Sequence, residues 1–121
     1  MKCAVPRERI EVRTGEVSKG VTRKDELYQL ICAKFSYCPG FSGCITLQVF
    51  RNRHSNKVLG IEINPRFGGG YPLSYLANAN FPKMIINEYL LENEVPFFKD
   101  WIENMLMLRY DDEVIVYDYK G

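Results

Sequence analysis

The 121-residue sequence has almost no surplus charge of either sign: 16 Lys and Arg stand against 15 Asp and Glu, for a net charge of +1. Affinity for a polyanion such as DNA rests largely on surplus positive charge, so the balance argues against a nucleic-acid binder. Long apolar runs are missing as well. Stretches such as Met84-Ile85-Ile86 fall far short of the roughly 18 residues that a membrane span needs. The start, Met1-Lys2-Cys3-Ala4-Val5-Pro6-Arg7-Glu8, turns charged too early for the apolar stretch of a signal peptide, and a cytoplasmic location is the plain expectation. No pair among Cys3, Cys32, Cys38 and Cys44 has C-x-x-C spacing, so the four read as reduced, mostly buried thiols. The one histidine, His54, falls in a polar turn without metal ligands at useful spacing and reads as solvated. No Gly-Lys-Ser/Thr follows the glycine run, which excludes a P-loop, and there is no internal repeat or low-complexity tract.

What is present is ordinary in bulk. With 46% hydrophobic and 26% charged residues the chain sits near the soluble globular average. Its length suits one domain over residues 1–121, with one core and somewhat less burial than the roughly 68–70% of a slightly longer chain.

Ile10 and Val12 alternate with Arg9, Glu11 and Arg13, which predicts a short half-buried strand running into Thr14-Gly15-Glu16, then a polar loop. Thr22 stands three residues before Asp25 in a capping-box-like start. Leu27, Leu30, Ile31 and Phe35 recur at helical spacing, so an amphipathic helix should cover about residues 23–36. Cys44 to Phe50 and Val58 to Asn64 read as the two strands of a hairpin. After the loop Pro65-Arg66-Phe67-Gly68-Gly69-Gly70-Tyr71, prolines 72 and 82 suit the first turns of two helices, about 72–79 and 82–92. Met105 to Tyr110 and Val114 to Tyr119 should form a closing hairpin. The fold class expected is α+β, an antiparallel sheet with helices packed on one side. The many aromatics of the second half, Tyr71 to Trp101, suit a core or an interface better than base stacking.

Glu62 and Asn64 are two apart on one strand and so share a face, with Leu59, Ile61 and Ile63 on the other. A hairpin tip centred on Ser55 sets Gln48 across from Glu62 and Thr46 across from Asn64. One carboxylate and two carboxamides then converge as hard oxygen donors of the kind that suits magnesium or calcium, and a magnesium ion held by so few would keep waters and take phosphate oxygens. A strand with one solvated polar face shows the same spacing, so both readings stand open on spacing alone. Arg66 adds a planar guanidinium suited to phosphate or carboxylate, and Gly68-Gly69-Gly70 bares backbone amides ahead of a helix. Cys44, on the Gln48 face, has no base near it and reads as packing.

The run IEINPRFGGGYPLSYLANANFP resembles the last part of ATP-grasp enzymes, most closely those like the carbamoyl-phosphate synthase large subunit. That resemblance implies that Gln48, Glu62 and Asn64 hold two magnesium ions bridging the phosphates of ATP, with Gln48 and Glu62 also counted as ATP-binding. It implies that Arg66 stabilises the phosphoryl group in transfer or the acyl phosphate made from it. Upstream, Val12-Arg13-Thr14-Gly15-Glu16 resembles the hydrophobe-His-Thr-Gly-Asp turn that meets the nucleotide in carbamoyl-phosphate synthases, which puts Val12 and Arg13 on ATP, Arg13 standing where that family has His.

The resemblance covers roughly residues 7–95 and implies ATP-dependent ligation of a carboxylate, or bicarbonate, to an amine or ammonia. A preceding lobe with a phosphate-binding Lys, a flexible glycine-rich loop and an adenine-binding strand is not recognisable in the sequence. The expectation is therefore a C-terminal ATP-grasp lobe that holds the metal-ligand half of a site, completed by an N-terminal lobe in cis or in trans. The alternative is a non-catalytic nucleotide-binding or interaction module that keeps the fold, and a purely structural domain ranks last. Apolar surface left by an absent lobe would also favour a homo-oligomer.

Overall fold

The computed structural model describes residues 1–110 and 115–118. Arg7–Arg13 forms strand β1, and Thr14 and Gly15, at φ of 46° and 82°, turn the chain into β2, Glu16–Thr22. Two successive positive φ values match the right-handed twist of a hairpin, and Gly15 takes its place without a Cβ penalty. The expected polar loop is thus a strand. Its inward positions are Ser18, Gly20 and Thr22, small residues that are buried, so hydrophobic alternation does not announce it. Irregularities in the β1–β2 register lie on either side of Glu11, and Ile10 and Val12 are left 56% and 46% exposed rather than facing a core.

Helix α1, Glu26–Phe35, is shorter than the periodic stretch because Asp25 caps it, its side chain accepting from the amides of Leu27 and Tyr28. Thr22 takes no part in that cap. Its wholly buried hydroxyl donates to the Ile102 carbonyl at 2.8 Å and accepts from the Met105 amide at 2.9 Å.

Strands β3, Thr46–Arg51, and β4, Val58–Asn64, form a separate two-stranded antiparallel sheet. Helix α2, Tyr71–Leu76, and helix α3, Phe81–Ile85, each carry proline in the first turn, and α3 runs on into one π-helical turn, Ile86–Leu90. Strand β5, Leu106–Leu108, pairs with β2 to complete the first sheet in the order β1-β2-β5. The closing hairpin is therefore not observed: its first arm joins β2, residues 115–118 contain no strand, and residues 111–114 and 119–121 lie outside the described ones. The α+β class holds, with the antiparallel strands divided between two sheets.

Helix α2 packs on β2 at Gly20, where a Cβ would stand 3.2 Å from Val17 Cγ1 and 3.6 Å from Leu73 Cδ2. The buried hydrophobic side chains among the described residues are Val21, Leu73, Ala77, Ala79, Val95 and Trp101. Trp101 meets Tyr28 of α1 edge-on at 5.7 Å, with Lys24 Nζ 4.6 Å above the indole. The β3–β4 hairpin is tied to this core by charge: Arg51 donates to Asp25 at 2.6 Å and Glu26 at 3.1 Å, and Arg53 reaches Glu8 at 3.2 Å. Between the two sheets runs a cleft of about 960 Å³. Among the described residues no helix is long and apolar enough to cross a membrane.

Candidate functional site

The β3–β4 register sets Gln48 opposite Glu62 and Thr46 opposite Asn64, as the hairpin centred on Ser55 predicts. Gln48 Nε2 donates to Glu62 Oε1. Glu62 has no cationic partner among the described residues. A bulge follows Gln48, so that Val49 faces Gly60 and Phe50 faces Leu59. This corrects the face of Leu59: opposed to Phe50, it joins the side of Gln48 and Glu62 instead of the side of Ile63. The pair is 70% and 56% exposed, which leaves apolar surface directly beside the polar set.

The loop after β4 is fixed by both strands of the hairpin it leaves. Thr46 Oγ1 donates to the Arg66 carbonyl at 2.8 Å, the Arg66 amide donates to the Asn64 carbonyl at 2.8 Å, and the Tyr71 amide donates to Gly68 at 2.8 Å. Gly68 passes so close to Thr46 that a Cβ would sit 3.1 Å from its Oγ1 and Cγ2. Arg66 is exposed, its Nη1 donating to the Phe67 carbonyl at 3.2 Å. Gln48, Asn64, Arg66 and Gly68 to Gly70 line the cleft, and Glu62 joins them through its bond to Gln48.

Val12 and Arg13 lie at the turn end of the β1–β2 hairpin, on the other sheet from this group. Val12 is paired with Val17, and Arg13 Nε donates to Glu11 at 2.8 Å. Among the described residues no hydrogen bond or ion pair joins either to Gln48, Glu62, Asn64 or Arg66. Glu11 also accepts from Lys19 at 2.6 Å and Ser18 at 3.0 Å. The Lys19 bond first, then Ser18 and Arg13, hold its carboxyl at about 2.

The cysteines are free thiols. Burial, with Cys32 nearby, pushes Cys3 up to about 12, and burial raises Cys44, so neither is an activated nucleophile. His54 is exposed in the hairpin turn, its amide donating to Asn52. Two residues carry no signal in the sequence: Arg7, which lines the cleft and is one of several alternating charges in β1, and the buried Ser74 of α2, which accepts from it.

Residues 1–110 match a protein-family model described as ATP-grasp in the biosynthetic pathway with Ter operon. The chain belongs to the ATP-grasp family. ATP binding and an ATP-dependent, ligase-type function come with that membership. The match takes in every element of the ATP-grasp chain described above, from β1 to β5, and thus the whole of the Gln48, Glu62, Asn64 and Arg66 group. No curated protein matches the chain.

The donor set suits a hard cation: one carboxylate free of a cationic partner and two carboxamides within one hairpin register. Gln48 turns its nitrogen to Glu62 as placed, and a half-turn of its amide would present the oxygen instead.

Proposed function

We propose that this ATP-grasp chain supplies the magnesium and phosphate contacts of a carboxylate–amine ligase of the carbamoyl-phosphate synthase kind. The observation that carries the reading is the register of β3 on β4, which opposes Gln48 to a Glu62 without a counter-cation and sets Asn64 on the same face. Glu62, Asn64 and Gln48 would hold magnesium, two ions in the complete site, whose charge offsets that of the ATP phosphates.

Arg66, at the mouth of the loop, would hold the equatorial oxygens of the phosphoryl group in transfer, where charge spreads in the transition state. In the reaction a carboxylate or bicarbonate oxygen bonds to the terminal phosphorus of ATP while the bond to ADP breaks. An amine or ammonia then attacks the acyl carbon of the acyl phosphate, phosphate leaves with the bonding pair, and the nitrogen loses a proton to water. Gly68 to Gly70 would bring bare amides close to the same oxygens. Val12 and Arg13 would reach the nucleotide from the β1–β2 turn, in a site closed by a further lobe in cis or in trans. The proposal takes residues 1–121 as one domain, acting in the cytoplasm.

Calorimetric titration of the chain with magnesium and a non-hydrolysable ATP analogue tests this reading. Saturable, magnesium-dependent binding is expected, weakened by about tenfold or more in Glu62→Gln. The exposed position of Glu62 makes the variant safe for folding. Binding of equal strength in the variant, or without magnesium, would refute the metal assignment.

A further inference from the structure

Arg7 opens β1 and lines the cleft between the two sheets. Its Nη1 donates to Ser74 Oγ at 2.9 Å, a side chain of no exposure. Arg13, Arg23, Arg51 and Arg53 each reach a carboxylate within 2.6–3.2 Å, but no carboxylate among the described residues lies within ion-pair distance of Arg7. Partial burial lowers its pKa, as for a cation partly removed from water, with Arg9 adding to the effect. Cys44 and Tyr71 beside it bring no counter-charge at neutral pH, since burial raises both of their pKa values.

The guanidinium also lies close to Gly70, the last residue of the glycine run. A Cβ on the buried Gly70 would stand 3.5 Å from Arg7 Nε, 3.7 Å from Cζ and 3.8 Å from Cδ, so the chain at Gly70 passes close to the guanidinium without a side chain of its own. Nε and Nη2 keep donors unused by any described residue. A desolvated, unpaired cation is costly, and a planar fork with two spare donors fits a carboxylate edge-on. The one positive charge of this half-buried group also matches one negative charge; a phosphate dianion would leave the second uncompensated.

We propose that Arg7, backed by Ser74 and the Gly70 backbone, is a binding site for a carboxylate of the acid substrate. The site deepens the ligase reading and rests on it for the word substrate. Carboxylate binding itself needs neither nucleotide nor magnesium, so the two can fail separately.

The experiment is NMR of the 121-residue chain titrated with acetate, succinate and inorganic phosphate at matched ionic strength, without ATP or magnesium. Expected are saturable shifts of the Arg7 Nε–Hε signal and the Gly69 and Gly70 amides with a carboxylate, and weaker ones with phosphate. Arg7→Gln should weaken carboxylate binding by about tenfold or more, with Arg7→Lys between the two. No saturable shift, shifts centred elsewhere, undiminished binding in Arg7→Gln, or tighter binding of phosphate would each overturn the proposal. Should Arg7→Gln fail to fold, the wild-type shifts decide alone. Carboxylate binding at Arg7 without magnesium-dependent binding at Glu62 would keep this site and discard the metal reading.

Discussion

Glu11 shows how a half-exposed side chain can be perturbed more by its partners than by burial. Lys19, Ser18 and Arg13 all donate to its two oxygens, and each stabilises the ionised form. A carboxyl whose folded pKa lies below its unfolded value supports the fold above the ordinary carboxylate range, and that support is lost as pH falls from about 4.5 towards about 2. The Glu11 side-chain carboxyl should therefore titrate near 2 by NMR, and Lys19→Met should move its midpoint upward. A midpoint at the usual carboxylate value in the wild-type chain would mean that the network does not persist in solution. Because the group is solvated, this is a statement about local charge and only weakly about global stability. Gln48 and Glu62 were legible at this scale, since period-2 alternation and a hairpin tip at Ser55 suffice to oppose them. Arg7 was not, because one Arg among alternating charges does not disclose which of them lacks a partner.

At the scale of elements the site is shaped by one close approach. Thr46 at the start of β3 holds the Arg66 carbonyl, and the chain at Gly68 has to pass over the same threonine. Gly68→Ala would place a methyl 3.1 Å from Thr46 Oγ1 and Cγ2, and Thr46 can turn aside only by losing its hydrogen bond. We expect a loss of about 1–3 kcal/mol in denaturant unfolding. In a Thr46→Ala background the same substitution should cost clearly less, and equal costs in both backgrounds would show that the contact is not the cause. Both β3–β4 strands, α1 and the two proline-led helices were legible from periodicity and capping. Strand β2 was not, because its buried face is Ser18, Gly20 and Thr22, and neither was the bulge that moves Leu59 across the sheet. The cap of α1 shifted from Thr22 to Asp25 for a tertiary reason: the Thr22 hydroxyl already serves Ile102 and Met105, some eighty residues further along the chain.

The molecule as a whole buries little. Its accessible surface is 9196 Å², whereas a compact monomer of its 14.1 kDa mass has about 6,700 Å². Large apolar side chains stand in the open on both sides of the cleft, among them Phe50, Leu59, Ile61 and Ile63 on the β3–β4 hairpin. Apolar surface of this extent favours association, with a second copy or with another lobe. Light scattering of the isolated chain should accordingly show a mass that rises with concentration, and a monomer mass at high concentration would count against this. The α+β class was legible, but the split into two sheets was not, since no local pattern tells β5 to pair with β2 instead of with the residues after it.

Central to the proposed function is a metal ion that Gln48, Glu62 and Asn64 would hold in an ATP-grasp site. Manganese shares the oxygen-rich octahedral preference of magnesium and broadens nearby NMR signals. Titrated into the chain with a non-hydrolysable ATP analogue, it should broaden first the side-chain amides of Gln48 and Asn64 and the backbone amide of Glu62. Broadening centred on any other group, or none in the presence of bound nucleotide, would contradict the account.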